Sequence, residues 1–213
     1  MKKWVMIFAV LASVVLNAEE SPKPVDLGRI RVSITNCCAQ AVLTEHVWEF
    51  GQAIKSKYSF SDAQMTELLE GCIPMVKART DYKVSHYHLF GLFERTCGTN
   101  AIPVLVSVVR ENKNDYDVRY AYAAYCVLKD MDESCFTLGS EILDSANYGE
   151  WSRWAVYSRI GRRRAKAVKS GDQVFLQRCE LFYRSRQSKD VDFRKHVGYQ
   201  NWPGPDVRDG GSK

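Results

Sequence analysis

The chain has 213 residues, with 30 lysines and arginines against 25 aspartates and glutamates, a formal net charge of +5. That balance is too mild to indicate nucleic acid by bulk charge, and the length suits one well-filled core or one continuous array.

Met1-Lys2-Lys3 gives a positive start, and Trp4 to Leu16 is apolar apart from Ser13. This pattern, followed by Asn17-Ala18 before Glu19-Glu20, predicts a signal peptide over residues 1–18, cut after Ala18. The apolar run is short for a spanning helix, no cysteine follows it to carry a lipid anchor, and no later stretch is apolar enough to cross a bilayer. The expected mature form is periplasmic or secreted, with 28 basic and 25 acidic residues left and a net charge of +3. All seven cysteines (Cys37, Cys38, Cys72, Cys97, Cys126, Cys135 and Cys179) lie in that mature part, where disulfides are allowed and an odd count leaves at least one thiol over. Cys126 and Cys135 flank the turn at Lys129 to Asp132 at similar distances, and antiparallel helices could bring them into bridging range. The competing reading makes the cysteines small buried apolar residues. There is no Cys-x-x-Cys, so the usual thiol oxidoreductase signal is missing.

Residues 19–31, with Pro22 and Pro24, read as an extended leader. Ile34, Cys37, Cys38, Ala41, Val42, Trp48 and Ile54 then follow mostly helical spacing and predict one amphipathic helix. Ser61 opens the next helix, with Gln64 at capping-box spacing and Phe60 and Met65 placed for a hydrophobic staple. Gly71 and Pro74 should break that helix. Gly98 reads as a helix stop and Asn100 as a cap for the run Ala101 to Val109, with Pro103 tolerated in the first turn. A polar connector, Glu111 to Asn114, leads to Asp115, which is placed to cap the helix bearing Val118, Ala121, Ala124, Cys126 and Val127. Residues 201–213, with Pro203, Pro205 and Gly210-Gly211, read as a disordered tail.

The chain repeats itself. Asp81-Tyr82-Lys83-Val84-Ser85 returns 34 positions later as Asp115-Tyr116-Asp117-Val118-Arg119, a period that points to stacked supersecondary units. The string Ala101-Ile102-Pro103-Val104-Leu105, then Asp115-Tyr116-Asp117-Val118-Arg119, then Ala121-Tyr122-Ala123-Ala124 resembles a HEAT-type repeat, which pairs a proline-bearing first helix with Asp-x-x-Val-Arg opening the second. An earlier copy, Cys72-Ile73-Pro74-Met75-Val76 before Asp81-Tyr82-Lys83-Val84, has Ser85 in place of the arginine. A third runs from Phe136 to Leu143 and on to Glu150-Trp151-Ser152-Arg153-Trp154-Ala155, and a fourth from Val174 to Tyr183 and on to Asp190-Val191-Asp192-Phe193-Arg194. The resemblance covers roughly residues 61–200 and is strongest over 100–130. It implies an all-α fold: a short right-handed α-solenoid of stacked antiparallel helix pairs over residues 32–200, with an extra N-terminal helix. It also implies that Arg119, Arg153 and Arg194, with Asp115, Asp117 and Asp190, form an internal ladder between repeats.

Two surfaces are candidates for binding. Arg159, Arg162, Arg163, Arg164, Lys166 and Lys169 crowd a stretch without an acid. They read either as a dock for an anionic partner or as a solvated helix end complementing the macrodipole. With no nucleic-acid motif, the patch favours an acidic protein face or an anionic envelope polymer over DNA or RNA. Tyr82 and His86, with Tyr116 and Tyr120 of the next copy, could form an exposed aromatic strip of the kind enriched in protein contacts. Catalytic signals are sparse. The histidines His46, His86, His88 and His196 show no zinc-type spacing, His46 and Glu49 make a thin metal site, and there is no nucleophile elbow, phosphate loop or dinucleotide fingerprint. The expectation is a non-catalytic module that needs no cofactor and holds a protein partner. The alternatives are an envelope enzyme using a Cys or His in a groove, and an inhibitor or immunity-type protein.

Overall fold

The computed structural model describes residues 25–41, 43–79, 82–111, 115–187 and 189. The described part is helical throughout, with no strand: α1 (Leu27–Gln40), α2 (Thr44–Lys57), α3 (Asp62–Glu70), α4 (Ile73–Lys77), α5 (Tyr82–Thr96), a 3-10 turn (Gly98–Ala101), α6 (Ile102–Glu111), α7 (Asp115–Leu128), α8 (Glu133–Asp144), α9 (Glu150–Ser170) and α10 (Gln173–Gln187). No helix among the described residues is long and apolar enough to cross a membrane. The residues expected to form a signal peptide, the tail expected from 201 and Asp190 to Arg194 of the expected fourth copy lie outside the described residues.

Local chemistry sets most helix boundaries. Ser61 accepts from the Gln64 amide at 3.2 Å and Gln64 Oε1 accepts from the Ser61 amide at 2.9 Å, so the capping box forms as the spacing predicts. The break between α3 and α4 falls at Gly71-Cys72, where Pro74 occupies the first turn of α4, a position that needs no backbone donor. Gly98 (φ 54°) and Gly171 (φ 72°) take the left-handed conformation just past α5 and α9, ending both helices where the sequence places stops.

Two N-terminal expectations are corrected. The extended leader stops short of residue 31, because Asp26 accepts from the Arg29 amide at 2.9 Å and caps a helix that already runs from Leu27. The single helix expected through Ile34 and Ile54 is two, since Ala41 and Leu43 are extended and α2 restarts at Thr44.

Helix α7 is the centre of the packing. It lies against α6, α5 and α9, while α5 also packs on α1, α2, α3 and α4, and α9 on α8 and α10. The small residues Ala121, Ala123 and Ala124 are buried on α7 and let its neighbours approach closely. Tyr122, Phe90, Phe93, Leu105, Tyr157 and Ile160 belong to one continuous core. Ion pairs join α6, α8 and α10 in succession: Arg110 forks onto both Glu141 oxygens at 2.9 Å, Arg178 meets Glu133 at 2.9 Å, and Arg186 grips Asp144. Phe136 of α8 packs on Phe175 and Phe182 of α10 at 5.7 and 5.4 Å between ring centroids.

Among the described residues, the acid and arginine positions that the resemblance assigns to a ladder connect neighbouring helices through the partners that follow. Asp115 turns to the N-terminus of α9 instead of serving as the cap of its own helix. It accepts from the Trp151 amide at 2.9 Å and the Ser152 amide at 2.7 Å, and the Ser152 hydroxyl donates to it as well. The reason is local: the N-cap of α9 is Gly149, with no side chain to satisfy those donors, and a Cβ there would sit 2.6 Å from the Asp115 carboxylate. Asp117, fully buried, faces back to His86 of α5 and lies 3.8 Å from Lys77. Arg153 donates to the Leu143 and Ser145 carbonyls at 2.9 and 3.0 Å, closing the C-terminal end of α8. Arg194 and Asp190 lie outside the described residues.

Candidate binding surface

The aromatic strip exists, with different members. His86 is fully buried against Asp117, because its face of α5 turns into α7, and it leaves the strip. Tyr82 opens α5, and its side chain lies outside the described residues. Tyr116 and Tyr120 are half-buried on the outward side of α7. Tyr120 meets the exposed Tyr87 of α5 edge-on at 5.5 Å, and Tyr116 stacks on the exposed Trp151 of α9 at 6.4 Å. Trp151 in turn packs edge-on against Trp154 at 6.2 Å.

Arg119 sits at the middle of this group. Its guanidinium lies 5.2 Å from the Tyr120 ring centre, 5.1 Å from Trp151 and 4.7 Å from Trp154, so one cation faces three rings drawn from α7 and α9. A second pair stands on α5 and α2, where Arg95 lies 4.0 Å from the Trp48 ring and Trp48 closes over Gly91. Gly91 is one turn past Tyr87 on α5, and α5 packs on α7. Aromatic rings and arginines thus alternate across four helices, α2, α5, α7 and α9. The sequence signal was present: Trp151, Trp154, Ser158 and Arg162 are spaced i, i+3, i+7, i+11 along one face of α9, and Arg119 falls one turn before Ala123 on α7. Trp48, Tyr87, Trp151 and Trp154 were missed because an aromatic residue at helical spacing reads first as core.

The basic stretch divides. Arg163 pairs with Asp172 at 2.9 Å and lies 4.6 Å over the Phe175 ring, tying α9 to the start of α10. Arg164 is half-buried beside Cys179 and Tyr183. Arg159 is half-buried, and desolvation, with Arg162 beside it, holds its guanidinium below the ordinary arginine range, while Glu94 of α5 partly offsets this. Burial pushes the Glu94 carboxyl up, against the pull of Arg95 and Arg159. Arg162, Lys166 and Lys169 are exposed, and with Arg159 they lie along one side of α9 that continues from Trp151 and Trp154. The structure therefore brings the exposed half of the basic stretch and the two tryptophans of the aromatic group onto one helix.

A separate open groove of about 560 Å³ runs between α8 and α10, over Phe136 and Phe182 and between the exposed Val174 and Leu181. Burial raises the thiol of Cys72 to about 11 and that of Cys179 to about 12, and it also raises Cys37, Cys38 and Cys97. All seven cysteines are free, Cys126 and Cys135 among them where a disulfide is expected, and the Cys135 thiol faces Asp132 Oδ1 at 3.9 Å. Among the described residues no cluster of three or more His, Cys, Asp or Glu side chains could hold a metal ion. No protein-family model, curated protein or solved structure matches the chain.

Proposed function

We propose that the chain is a non-catalytic protein-binding module, a short HEAT-like α-solenoid secreted or held in a periplasm, whose recognition surface is the arginine and aromatic face of α2, α5, α7 and α9. The observation that carries this reading is Arg119 facing Tyr120, Trp151 and Trp154 at a surface where Trp151 is 46% and Tyr87 45% exposed. Tryptophan, tyrosine and arginine dominate the energetic centres of protein interfaces, because they offer large, stiff contact area with a polar edge. Arg162, Lys166 and Lys169 at the far end of α9 extend the face with unshared positive charge, which favours a partner segment carrying carboxylates beside apolar side chains. The solenoid reading is supported by the helix-to-helix succession: ion pairs join α6, α8 and α10, and ring contacts join α5, α7 and α9.

The test is affinity capture from an envelope extract with three forms of the mature protein: native, Arg119→Ala with Trp151→Ala, and Arg162→Glu with Lys166→Glu and Lys169→Glu. The expected result is a partner held by the native form, lost by the first variant and weakened by the second in a salt-dependent way. A partner held equally by all three forms removes this face from consideration. An enzyme reading would instead require a thiol that reacts unusually fast in the folded protein, against the raised thiols found here.

A further inference from the structure

Arg119 projects from α7 into the rings at the start of α9, 5.2 Å from the Tyr120 ring centre, 5.1 Å from Trp151 and 4.7 Å from Trp154. The rings hold the guanidinium in place, and among the described residues it takes part in no ion pair. Its planar fork of N–H donors is therefore open to a carboxylate, which it can take with two parallel hydrogen bonds. The same surface continues along α9. At 3.6 residues per turn, Arg162 and Lys169 fall within about 20° of the line through Trp151, and Lys166 within about 60°. All four of these residues are exposed, and no acid occurs between Trp151 and Lys169. With a rise of about 1.5 Å per residue, the three cations stand about 16, 22 and 27 Å from Trp151 along the helix.

We infer that this lane takes one extended acidic peptide segment of a partner protein. A carboxylate of that segment sits on Arg119, an apolar side chain on Trp151, and further carboxylates on Arg162, Lys166 and Lys169. The inference rests on the proposed binding function and narrows it. An extended chain advances about 3.3 Å per residue, so the three distances correspond to acids about 5, 7 and 8 residues beyond the one seated on Trp151. The lane is polarised, with rings and one held cation at one end and three exposed cations at the other. A polymer of identical anionic sugars offers every position the same group and gains nothing from that division. A peptide can place an aromatic or aliphatic side chain at one end and acids at the other. The two-pronged contact at Arg119 fixes the register, and the cations beyond it add attraction that salt screens.

The probe is a ten-residue peptide, acetylated and amidated so that it carries no terminal charge. Aspartate stands first, phenylalanine second and glutamate at the seventh, ninth and tenth positions, with glycine or serine elsewhere. Its binding to the full mature chain is read at low salt by tryptophan fluorescence and by calorimetry. It should bind at least tenfold more tightly than a peptide of the same composition with its four acids contiguous, and than polygalacturonate, and its affinity should fall as salt rises. Arg119→Lys keeps the charge without the fork and should weaken binding at least tenfold. Arg162→Glu with Lys166→Glu and Lys169→Glu should do the same, and because it changes only exposed side chains its Tm should match the native protein. Equal affinity for the contiguous-acid peptide, no loss in the triple variant, or tighter binding of polygalacturonate overturns the inference. Affinity capture separates that failure from failure of the binding function. A cellular partner lost with Arg119→Ala and Trp151→Ala, from protein that ignores the probe, overturns the acidic segment and leaves the face standing, whereas neither probe nor partner bound overturns both.

Discussion

Asp115→Ala should destabilise the protein far beyond what a half-buried surface carboxylate normally contributes. The side chain satisfies the Trp151 and Ser152 amides at the open end of α9 and also accepts from the Ser152 hydroxyl, which is fully buried. Loss of an N-cap costs about 1 kcal/mol, and leaving a buried hydroxyl and backbone amide donors without their acceptor adds about 1–3 kcal/mol. The total is about 2–4 kcal/mol, and at roughly 2–4 °C per kcal/mol for a domain of this size the Tm should fall by about 4–16 °C. Asp115→Asn, which keeps an acceptor oxygen but loses the charge facing the helix dipole, should lie between the two. Gly149→Ala probes the same contact from the other side, because its Cβ would displace the Asp115 carboxylate. Its effect should therefore be less than additive with Asp115→Ala. Thermal unfolding by circular dichroism, with amide exchange read at Trp151 and Ser152, measures all four proteins. A drop of under about 2 °C in Asp115→Ala, with those amides still protected, would refute the inter-helix cap.

Asp117→Ala removes the carboxylate that buried His86 faces and should cost about 1–3 kcal/mol, the scale for a buried polar group that loses its partner, seen as a fall in the urea midpoint. Tyr122→Phe removes the hydroxyl bonded to the Cys135 carbonyl and should cost about 1 kcal/mol by the same assay. Acid should weaken the contacts of α10 with α8 and α9. The Phe175 amide and then Arg163 hold the Asp172 carboxyl below its usual range, and Arg186 does the same for Asp144. A depressed carboxylate stabilises the fold above its unfolded value of about 3.9, and the contribution is lost as pH falls through the lower folded value. A Tm profile from pH 6 to pH 2 should therefore drop below about pH 4, and Asp172→Asn with Asp144→Asn should flatten it.

Helix starts and stops were legible wherever one residue's own chemistry sets them: Ser61 with Gln64, Pro74, Gly98 and Gly171 all act where the spacing places them. The break between α1 and α2 was not, because the apolar positions from Ile34 to Ile54 keep helical phase across Ala41 to Leu43 and no glycine or proline marks the interruption. Asp115 shows a second limit. Its spacing is that of a cap, but which helix it caps depends on Gly149, 34 residues away, being unable to cap its own. The proposed binding face was half legible: Tyr116 and Tyr120 fall off the Val118, Ala121 and Ala124 face by simple phase, whereas the rings they pack on come from α5 and α9. His86 was misplaced for the same reason, since phase within one helix does not say which neighbour covers it.

The most direct test of the account is hydrogen exchange on the module with and without its captured partner. Protection is predicted in peptides spanning Tyr87 to Arg95, Tyr116 to Ala123 and Trp151 to Arg162, with none at the α8 and α10 groove. Protection confined to Phe136, Val174 and Leu181 would contradict it and move recognition to that groove.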